Sequence, residues 1–301
     1  MSRADDRPAT LRLDGGTATE LRRAGIPLNA PWWTTRAVLT DARRRVLRDA
    51  HERFLGAGAD VVTANTFRCN LRTLRRAGLR DAGLAWMVHA AVGVALAARN
   101  AAGTPRTLIA ASVAPVEDCY RPDLVPSDDE LRAEHAWLAT ELSRSTVVDL
   151  TLVETMNSER EARIALEAAL ATGGRAWVSF VCDDGARLLS GEPLDRVAKA
   201  VEADGAEAVL VNCTGPARTE QCLRALRESC AGPIGAYPNV EDRGGVPRWT
   251  HVDGELPASL EPEEFAQLLA RWRQDYDLAM VGGCCGATPD HIAALSRLVE
   301  D

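Results

Sequence analysis

Eight short runs of apolar, β-branched residues alternate with longer amphipathic stretches along this 301-residue chain. This alternation predicts repeated strand–helix units, because strands and helices bury side chains with different periods. Several of the amphipathic stretches begin with Ser, Asp or Thr next to an acidic residue and end in Gly, as helix caps require. The predicted strands occupy residues 11–16, 59–66, 107–115, 149–155, 176–182, 206–214, 233–239 and 277–285.

The apolar character of these strands predicts a parallel sheet covered by helices, and eight strand–helix units are the number that closes a barrel. No Pro- or Ser-rich linker divides the chain, so we predict one (β/α)8 TIM barrel domain over residues 1–301. The connections at 25–41, 115–128 and 239–261 are expected to be elaborated loops. An open doubly wound sheet is the alternative, but the segment "DGGTATEL" lacks the glycine spacing of its phosphate-binding turn.

The formal net charge of -8 argues against nucleic acid and anionic membranes as partners, since both need a concentrated basic surface. We therefore expect small-molecule substrates, and the oligomeric state is left open. The N-terminal segment has no apolar stretch typical of a signal peptide, and no run reaches about 18 apolar residues. This predicts a cytoplasmic protein whose eight cysteines are thiols or metal ligands rather than a disulfide framework.

Three cysteines fall at the ends of two predicted strands. Cys213 ends the sixth strand, and Cys284 and Cys285 end the eighth. Because the active site of a parallel barrel lies at the carboxyl ends of its strands, these thiols are expected to meet at one mouth. Three thiolates favour Zn²⁺ and leave a fourth position open for catalysis. Cys213 as an ordinary buried residue, or a vicinal disulfide at 284 and 285, are the alternatives.

Other polar or aromatic residues are expected at the same mouth and are candidates for substrate binding. Asp14 could equally form an Asx turn, and Glu154 a loop salt bridge. The roles of Cys69, Cys119 and Tyr120 are left open, and His291 is expected to cap or pack a helix. The candidate substrate-binding residues are Asp14, Trp33, Asn65, Glu154 and Asn239.

Several motifs resemble the homocysteine S-methyltransferase family over residues 11–298. They include "DGGTATEL", "FLGAGADVVTANTF", "VNCTGP" and "GGCCGATPDHIAAL". The resemblance implies a zinc-dependent enzyme of methionine biosynthesis, with zinc on Cys213, Cys284 and Cys285. It also implies that Asp14 and Glu154 hold the amino-acid end of homocysteine, where a carboxylate can accept hydrogen bonds from an ammonium group.

The methyl donor is harder to predict, because "ASVAPVEDCYRPD" replaces a Gly-rich segment that many family members carry. An anionic thiolate site would attract a cationic sulfonium, so S-methylmethionine or S-adenosylmethionine is the expected donor. Trp33 and Tyr120 are candidate cation–π faces, although Trp33 could instead belong to the core. The alternatives are methylcobalamin or methylfolate supplied by a partner protein, and a non-catalytic zinc or thiol sensor.

Overall fold

The computed structural model describes residues 10–246, 254 and 256–299, and its main sheet is an eight-stranded parallel barrel. Each strand pairs with its neighbour in the chain, and the last strand pairs with the first through Leu11 and Met280. A bridge between Leu13 and Val61 closes the ring. The predicted (β/α)8 barrel is confirmed. The strands β1 to β8 are Leu11–Arg12, Val61–Ala64, Leu108–Val113, Leu150–Met156, Ala176–Phe180, Ala208–Asn212, Ile234–Tyr237 and Met280–Val281.

All eight predicted strands are present, and all except β4, which keeps its predicted length but lies one residue later, are shorter than predicted. The difference is largest for β8, predicted over 277–285 and observed over Met280–Val281. Beyond Val281 the backbone still donates hydrogen bonds, from Gly282 to Ala236 and from Gly283 to Asp14, but it no longer forms a regular ladder. The chain leaves the sheet there and carries the cysteine pair into the mouth.

Helices cover the outside of the barrel, and their ends follow the predicted capping signals. Ser127 and Glu130 form a capping box at the start of one helix, and Gly103 ends another in the left-handed conformation. Two 3₁₀ helices span Trp33–Val38 and Pro122–Leu124. The helices α1 to α10 are Thr17–Arg23, Asp41–Gly56, Leu71–Arg76, Ala82–Ala102, Asp128–Ser143, Glu159–Ala171, Leu194–Ala203, Pro216–Ser229, Pro262–Tyr276 and Pro289–Val299.

Two packed layers hold this architecture together. Between sheet and helices, large side chains such as Phe180, Phe265 and Trp272 are fully buried. Inside the barrel, a separate cluster that includes Leu152 and Trp177 fills the space between the strands. Each such side chain contributes roughly 1.5–3 kcal/mol of burial free energy. The interior of the barrel is therefore a packed core.

Helix α4 satisfies the length and composition criteria for a membrane span, a pattern that the sequence analysis did not single out. In the structure, 44% of its apolar window is buried. Met87 packs into one core cluster, and Val88 and Val92 pack into the other. We interpret α4 as a core helix of the barrel.

A short antiparallel hairpin follows β5 and was not predicted. Cys182–Asp183 pairs with Arg187–Leu188 across a three-residue loop. Gly185 and Ala186 in this loop have φ of 71° and 51°. The Asp-Gly pair in the sequence is a recognised hairpin signal, but the apolar run ending at Cys182 was assigned to β5 alone.

Candidate metal centre and active site

The three predicted cysteines meet at the barrel mouth. The Sγ atoms of Cys213, Cys284 and Cys285 all lie within 4.8 Å of one another, and those of Cys284 and Cys285 are 3.9 Å apart. Tetrahedral zinc with bonds of about 2.3 Å places its sulfur ligands about 3.8 Å apart, so this donor set fits zinc. All eight cysteines are free, which removes the vicinal disulfide, and Cys213 is only partly buried. The thiols are arranged as a metal site.

Cys213 reaches the mouth through an unusual backbone conformation. It follows β6 with φ of 48°, and its neighbour Thr155 in β4 has φ of 57°. A non-glycine residue in this region costs about 1–3 kcal/mol unless its surroundings hold it. The fully buried amide of Asn212 does so: its Oδ1 accepts from Thr155 N at 3.0 Å and Ser179 Oγ at 2.7 Å, and its Nδ2 donates to Thr155 Oγ1 at 2.7 Å. Asn212 therefore supports the turn that directs Cys213.

Close packing on both sides positions the cysteine pair. Cys284 N donates to the carbonyl of Pro238, and Cys285 O accepts from Val240, so the pair lies along the loop after β7. Gly286 has φ of 83°, a conformation that favours glycine. A Cβ atom on Gly283 would lie 2.2 Å from the side chain of Ala287. Larger residues at these two glycines would displace the pair.

The thiol cluster already concentrates negative charge at one sulfur. The pKa of Cys285 lies well below its usual range, because the thiols of Cys213 and Cys284 donate hydrogen bonds to it. Arg22 and Arg243 lower the pKa of Cys285 further through their positive charges. The same sharing of protons raises the pKa of Cys213. The pKa of Cys284 is raised as well, because its hydrogen bond with Cys285 and its burial outweigh the lowering effect of Cys213. Without a metal, the cluster thus favours the thiolate form that metals bind at Cys285 alone.

Two buried carboxyl groups lie beside the thiols. Asp14 accepts from Thr63 N and Thr63 Oγ1, both at 2.8 Å, and burial raises its pKa to about 6. Glu154 lies at a bulge in β4 and accepts from Ser112 Oγ and from Tyr237 Oη, the latter at 3.1 Å. Burial raises the pKa of Glu154 to about 7, with a smaller contribution from the charge of Asp14. Neither acid forms an ion pair within the described part of the chain, so both can receive an external cation.

A cavity of about 200 Å³ connects these groups, and it accounts for most of the predicted residues. It is lined by Asp14, Trp33, Asn65, Cys119, Tyr120, Glu154 and the three thiols. Asn65 Nδ2 donates to the carbonyl of Thr34 at 2.9 Å, which ties the end of β2 to the loop that carries Trp33. Asn239 does not line this cavity; its Oδ1 accepts from Glu241 N at 2.8 Å and shapes the loop after β7.

Two further predicted residues lie in the protein interior. Cys69 is fully buried, and burial raises its pKa to about 12, which makes this thiol unreactive. His291 caps α10, since its Nδ1 lies 2.9 Å from Thr288 Oγ1 and its Nε2 lies 3.1 Å from the carbonyl of Leu260. The expectation that His291 caps a helix is confirmed.

Four residues of this region were missed from the sequence. Thr63 and Asn212 lie inside apolar strand segments, and the only signal in the sequence is that they are polar residues among apolar ones. Tyr237 belongs to the quoted "YPN" motif, and Arg68 lies in "NTFRCN", three residues after Asn65. Arg68 is a charged residue just past a buried strand, and this signal could have identified it. All of these except Asn212 line the cavity.

The fold and the site together define a (β/α)8-barrel enzyme with a three-cysteine centre able to hold a metal ion. The chain belongs to the homocysteine S-methyltransferase family, whose profile matches residues 11–299. The family resemblance seen in the sequence is confirmed. The prediction that the protein is an enzyme that methylates homocysteine is confirmed as well. The alternative of a non-catalytic sensor is set aside.

Relatives support this assignment over almost the whole chain. Homocysteine S-methyltransferase 4 of Zea mays is 26% identical over 96% of this chain and 89% of its own length. The metallated form of the homocysteine methyltransferase MmuM from Escherichia coli superposes with a TM-score of 0.81 at 27% identity, covering 97% of each chain. Methionine synthase of Mycobacterium leprae is 28% identical over 95% of this chain but only 24% of its own length.

Proposed function

We propose that this protein transfers a methyl group from a sulfonium donor, S-methylmethionine or S-adenosylmethionine, to the sulfur of homocysteine, giving methionine. We further propose that Cys213, Cys284 and Cys285 hold Zn²⁺ for this reaction. The observation that carries the proposal is the meeting of three sulfur atoms within 4.8 Å at the mouth of the barrel. The existence of a metallated form of the similar Escherichia coli enzyme supports a bound metal in this protein as well.

When bound, zinc supplies homocysteine as a thiolate at neutral pH, where a free thiol with a pKa near 8.5 is mostly protonated. The residues of the chain hold and orient the substrates. Asp14 and Glu154 bind the ammonium group of homocysteine through charge-assisted hydrogen bonds, which offset the burial of both carboxyls. Asn65 and Trp33 line the cavity for the substrates, and Asn239 holds the loop after β7.

The charge of the thiol centre favours a cationic donor. Three thiolates and a bound substrate thiolate exceed the charge of one zinc ion, so a sulfonium is attracted and its charge disappears on methyl transfer. The two expected cation–π faces are partly taken: the guanidinium of Arg68 lies 5.3 Å from the ring centroid of Trp33, and that of Arg243 lies 5.7 Å from that of Tyr120. Attraction to the thiols therefore carries the argument for a sulfonium.

A direct assay tests this function. Zinc-loaded protein is incubated with homocysteine and either S-methylmethionine or S-adenosylmethionine, and methionine is measured by mass spectrometry. We expect methionine from at least one sulfonium without any other protein. No product from either donor would overturn the proposal.

The second candidate donor is methylcobalamin or methylfolate carried by a partner protein. The match to one quarter of a Mycobacterium methionine synthase favours this candidate, because that enzyme carries much additional chain. It predicts no turnover with free sulfonium donors and turnover once the donor and its carrier are added. The same assay with these additions separates the two candidates.

Other expectations also stand as proposals. All eight barrel strands belong to one sheet, which supports residues 1–301 as one domain. Eight free cysteines support a reducing cytoplasmic location. A cavity of about 200 Å³ at the mouth supports small molecules, rather than nucleic acid or membrane, as partners.

A further inference from the structure

Arg68 is a buried cation at the edge of the active-site cavity. It follows β2, is only 6% exposed, and lines the same cavity as the thiols and Asp14. Its Nη1 donates to the carbonyl of Glu117 at 2.6 Å, and its Nη2 lies 4.0 Å from Cys119 Sγ. These contacts hold the side chain in place without neutralising it.

The charge of Arg68 has no acidic partner in the described part of the chain. The contrast with Arg72, four residues later, is direct: Arg72 pairs with Glu117 at 2.9 Å and Glu130 at 2.7 Å. A buried charge is costly unless it is paired, so the isolation of Arg68 indicates a missing anion. Two of its five N–H groups are used by Glu117 and the weak contact to Cys119. Three donors remain for a ligand.

Two aromatic rings lie close to the guanidinium. Its centre lies 5.3 Å from the ring centroid of Trp33 and 5.1 Å from that of Phe67. Cation–π contacts of this kind do not use the N–H groups of the guanidinium as hydrogen-bond donors to an acid, so these groups remain available. An edge with parallel N–H groups matches a planar carboxylate through two hydrogen bonds.

The position of Arg68 points to the donor rather than to homocysteine. Neither Asp14 nor Glu154 lies within ion-pair distance of Arg68 among the described contacts. In an amino acid the carboxylate shares a carbon with the ammonium, so homocysteine held by the two acids keeps its own carboxylate near them. Cys119 contacts Arg68 and also lines the cavity, so a carboxylate on Arg68 would lie beside Cys119.

We propose that Arg68 binds the carboxylate of the methyl donor and thereby restricts donors to sulfonium compounds that carry one. This inference rests on the proposed sulfonium donor. It makes Arg68 a specificity-determining residue, with Trp33 and Phe67 as its positioning partners. Trp33 then acts on the arginine rather than on the sulfonium.

The test compares S-methylmethionine with its carboxamide, which keeps the sulfonium and the ammonium but lacks the carboxylate. For the wild type we expect kcat/KM to be about 10- to 100-fold higher with the carboxylate donor, the range that charge-assisted hydrogen bonds supply. In Arg68→Gln the ratio of the two kcat/KM values should fall close to one, because the KM for the carboxylate donor rises. Zinc content and the KM for homocysteine should be unchanged. Arg68→Lys keeps the positive charge but loses the paired N–H donors of the guanidinium, so its ratio should lie between those of the wild type and Arg68→Gln.

The control is Arg80→Gln, an exposed arginine between α3 and α4, which should keep the wild-type ratio. Thermal melting of each variant checks the fold. An equal loss with both donors would assign Arg68 a structural role, and a rise in the KM for homocysteine would assign it to the acceptor; either result overturns the inference. If no sulfonium gives methionine, the proposed methyl-transfer reaction is wrong, and this result does not test Arg68. Calorimetric binding of S-methylmethionine to wild type and Arg68→Gln then decides the role of Arg68, and equal binding or none overturns it.

Discussion

The two sides of the barrel mouth are built differently. The thiol side, which comprises Asn212, Cys213, Cys284 and Cys285, is held by backbone geometry. Cys213 has φ of 48°, and the buried amide of Asn212 makes four hydrogen bonds to its neighbours. The arginine side, which comprises Trp33, Phe67, Arg68, Cys119 and Tyr120, is held by contacts between side chains on the loops after β1, β2 and β3. One side carries negative charge and the other carries positive charge.

This difference separates two tasks. A metal site needs ligands fixed to within a fraction of an ångström, and short turns at strand ends provide that precision. Recognition of a second substrate depends on side chains presented by longer loops, which vary more readily in sequence. We therefore expect the thiol side to set the reaction and the arginine side to set the donor.

The largest effect is expected when the thiol side is broken directly. Cys213→Ser removes one of three sulfur donors, so we expect zinc affinity to fall by more than about a hundredfold, beyond the loss typical of supporting residues. Turnover should disappear with the metal. Zinc is measured by mass spectrometry and methionine by chromatography, with Cys230→Ser as control because Cys230 lies at the end of α8. Full activity in zinc-free Cys213→Ser would refute the metal mechanism.

The next effect tests the backbone support of the thiol side. Asn212→Ala leaves Thr155 N without its acceptor in a fully buried position, and each such unsatisfied group costs about 1–3 kcal/mol. We expect lower stability in urea and a 10- to 100-fold loss of zinc affinity, the range for supporting residues. Asn100→Ala, an exposed position on α4, is the control. Unchanged zinc affinity would mean that the turn at Cys213 holds without Asn212.

A third prediction concerns Glu154, which lies beside the thiol side. Burial raises its folded-state pKa from 4.5 to about 7, so between these values the folded protein binds the proton more tightly than the unfolded chain. Stability is therefore lost as pH rises from about 4.5 to 7, by a contribution on the order of 3 kcal/mol. Urea denaturation at pH 5 and pH 7.5 should show a smaller pH-dependent loss for Glu154→Gln than for the wild type. An identical loss in both proteins would exclude Glu154 as the source.

The smallest effect is expected at the edge of the arginine side. Arg243 lies over the ring of Tyr120 and 3.6 Å from Glu241, and a partly exposed cation–π contact contributes about 0.5–1 kcal/mol. Arg243→Gln should raise the donor KM by roughly two- to fivefold and leave zinc content unchanged. Steady-state kinetics with the donor varied measures this. A loss of zinc would show that Arg243 supports the thiol side instead.

Much of this protein is encoded in local pattern. The period of apolar residues predicts eight strands and the helices between them, and eight parallel strands bring every strand end to one mouth. For that reason Cys213 could be predicted to meet the adjacent pair Cys284 and Cys285, which lies more than 70 positions later in the chain. Asp14 and Glu154 follow from the same rule, since both lie at strand ends.

Only the tertiary structure decided which side chains touch across the loops. Nothing in the pattern places Trp33 against Arg68 or turns Asn239 away from the cavity. Nor does the pattern show that, among the residues that the structure describes, Arg68 has no acidic partner while Arg72 has two. The physical reason is that strand ends are located by a repeating hydrogen-bond ladder, whereas loop paths have no repeat. Each loop contact depends on the packing of residues that are distant in the chain and belong to different strand–helix units.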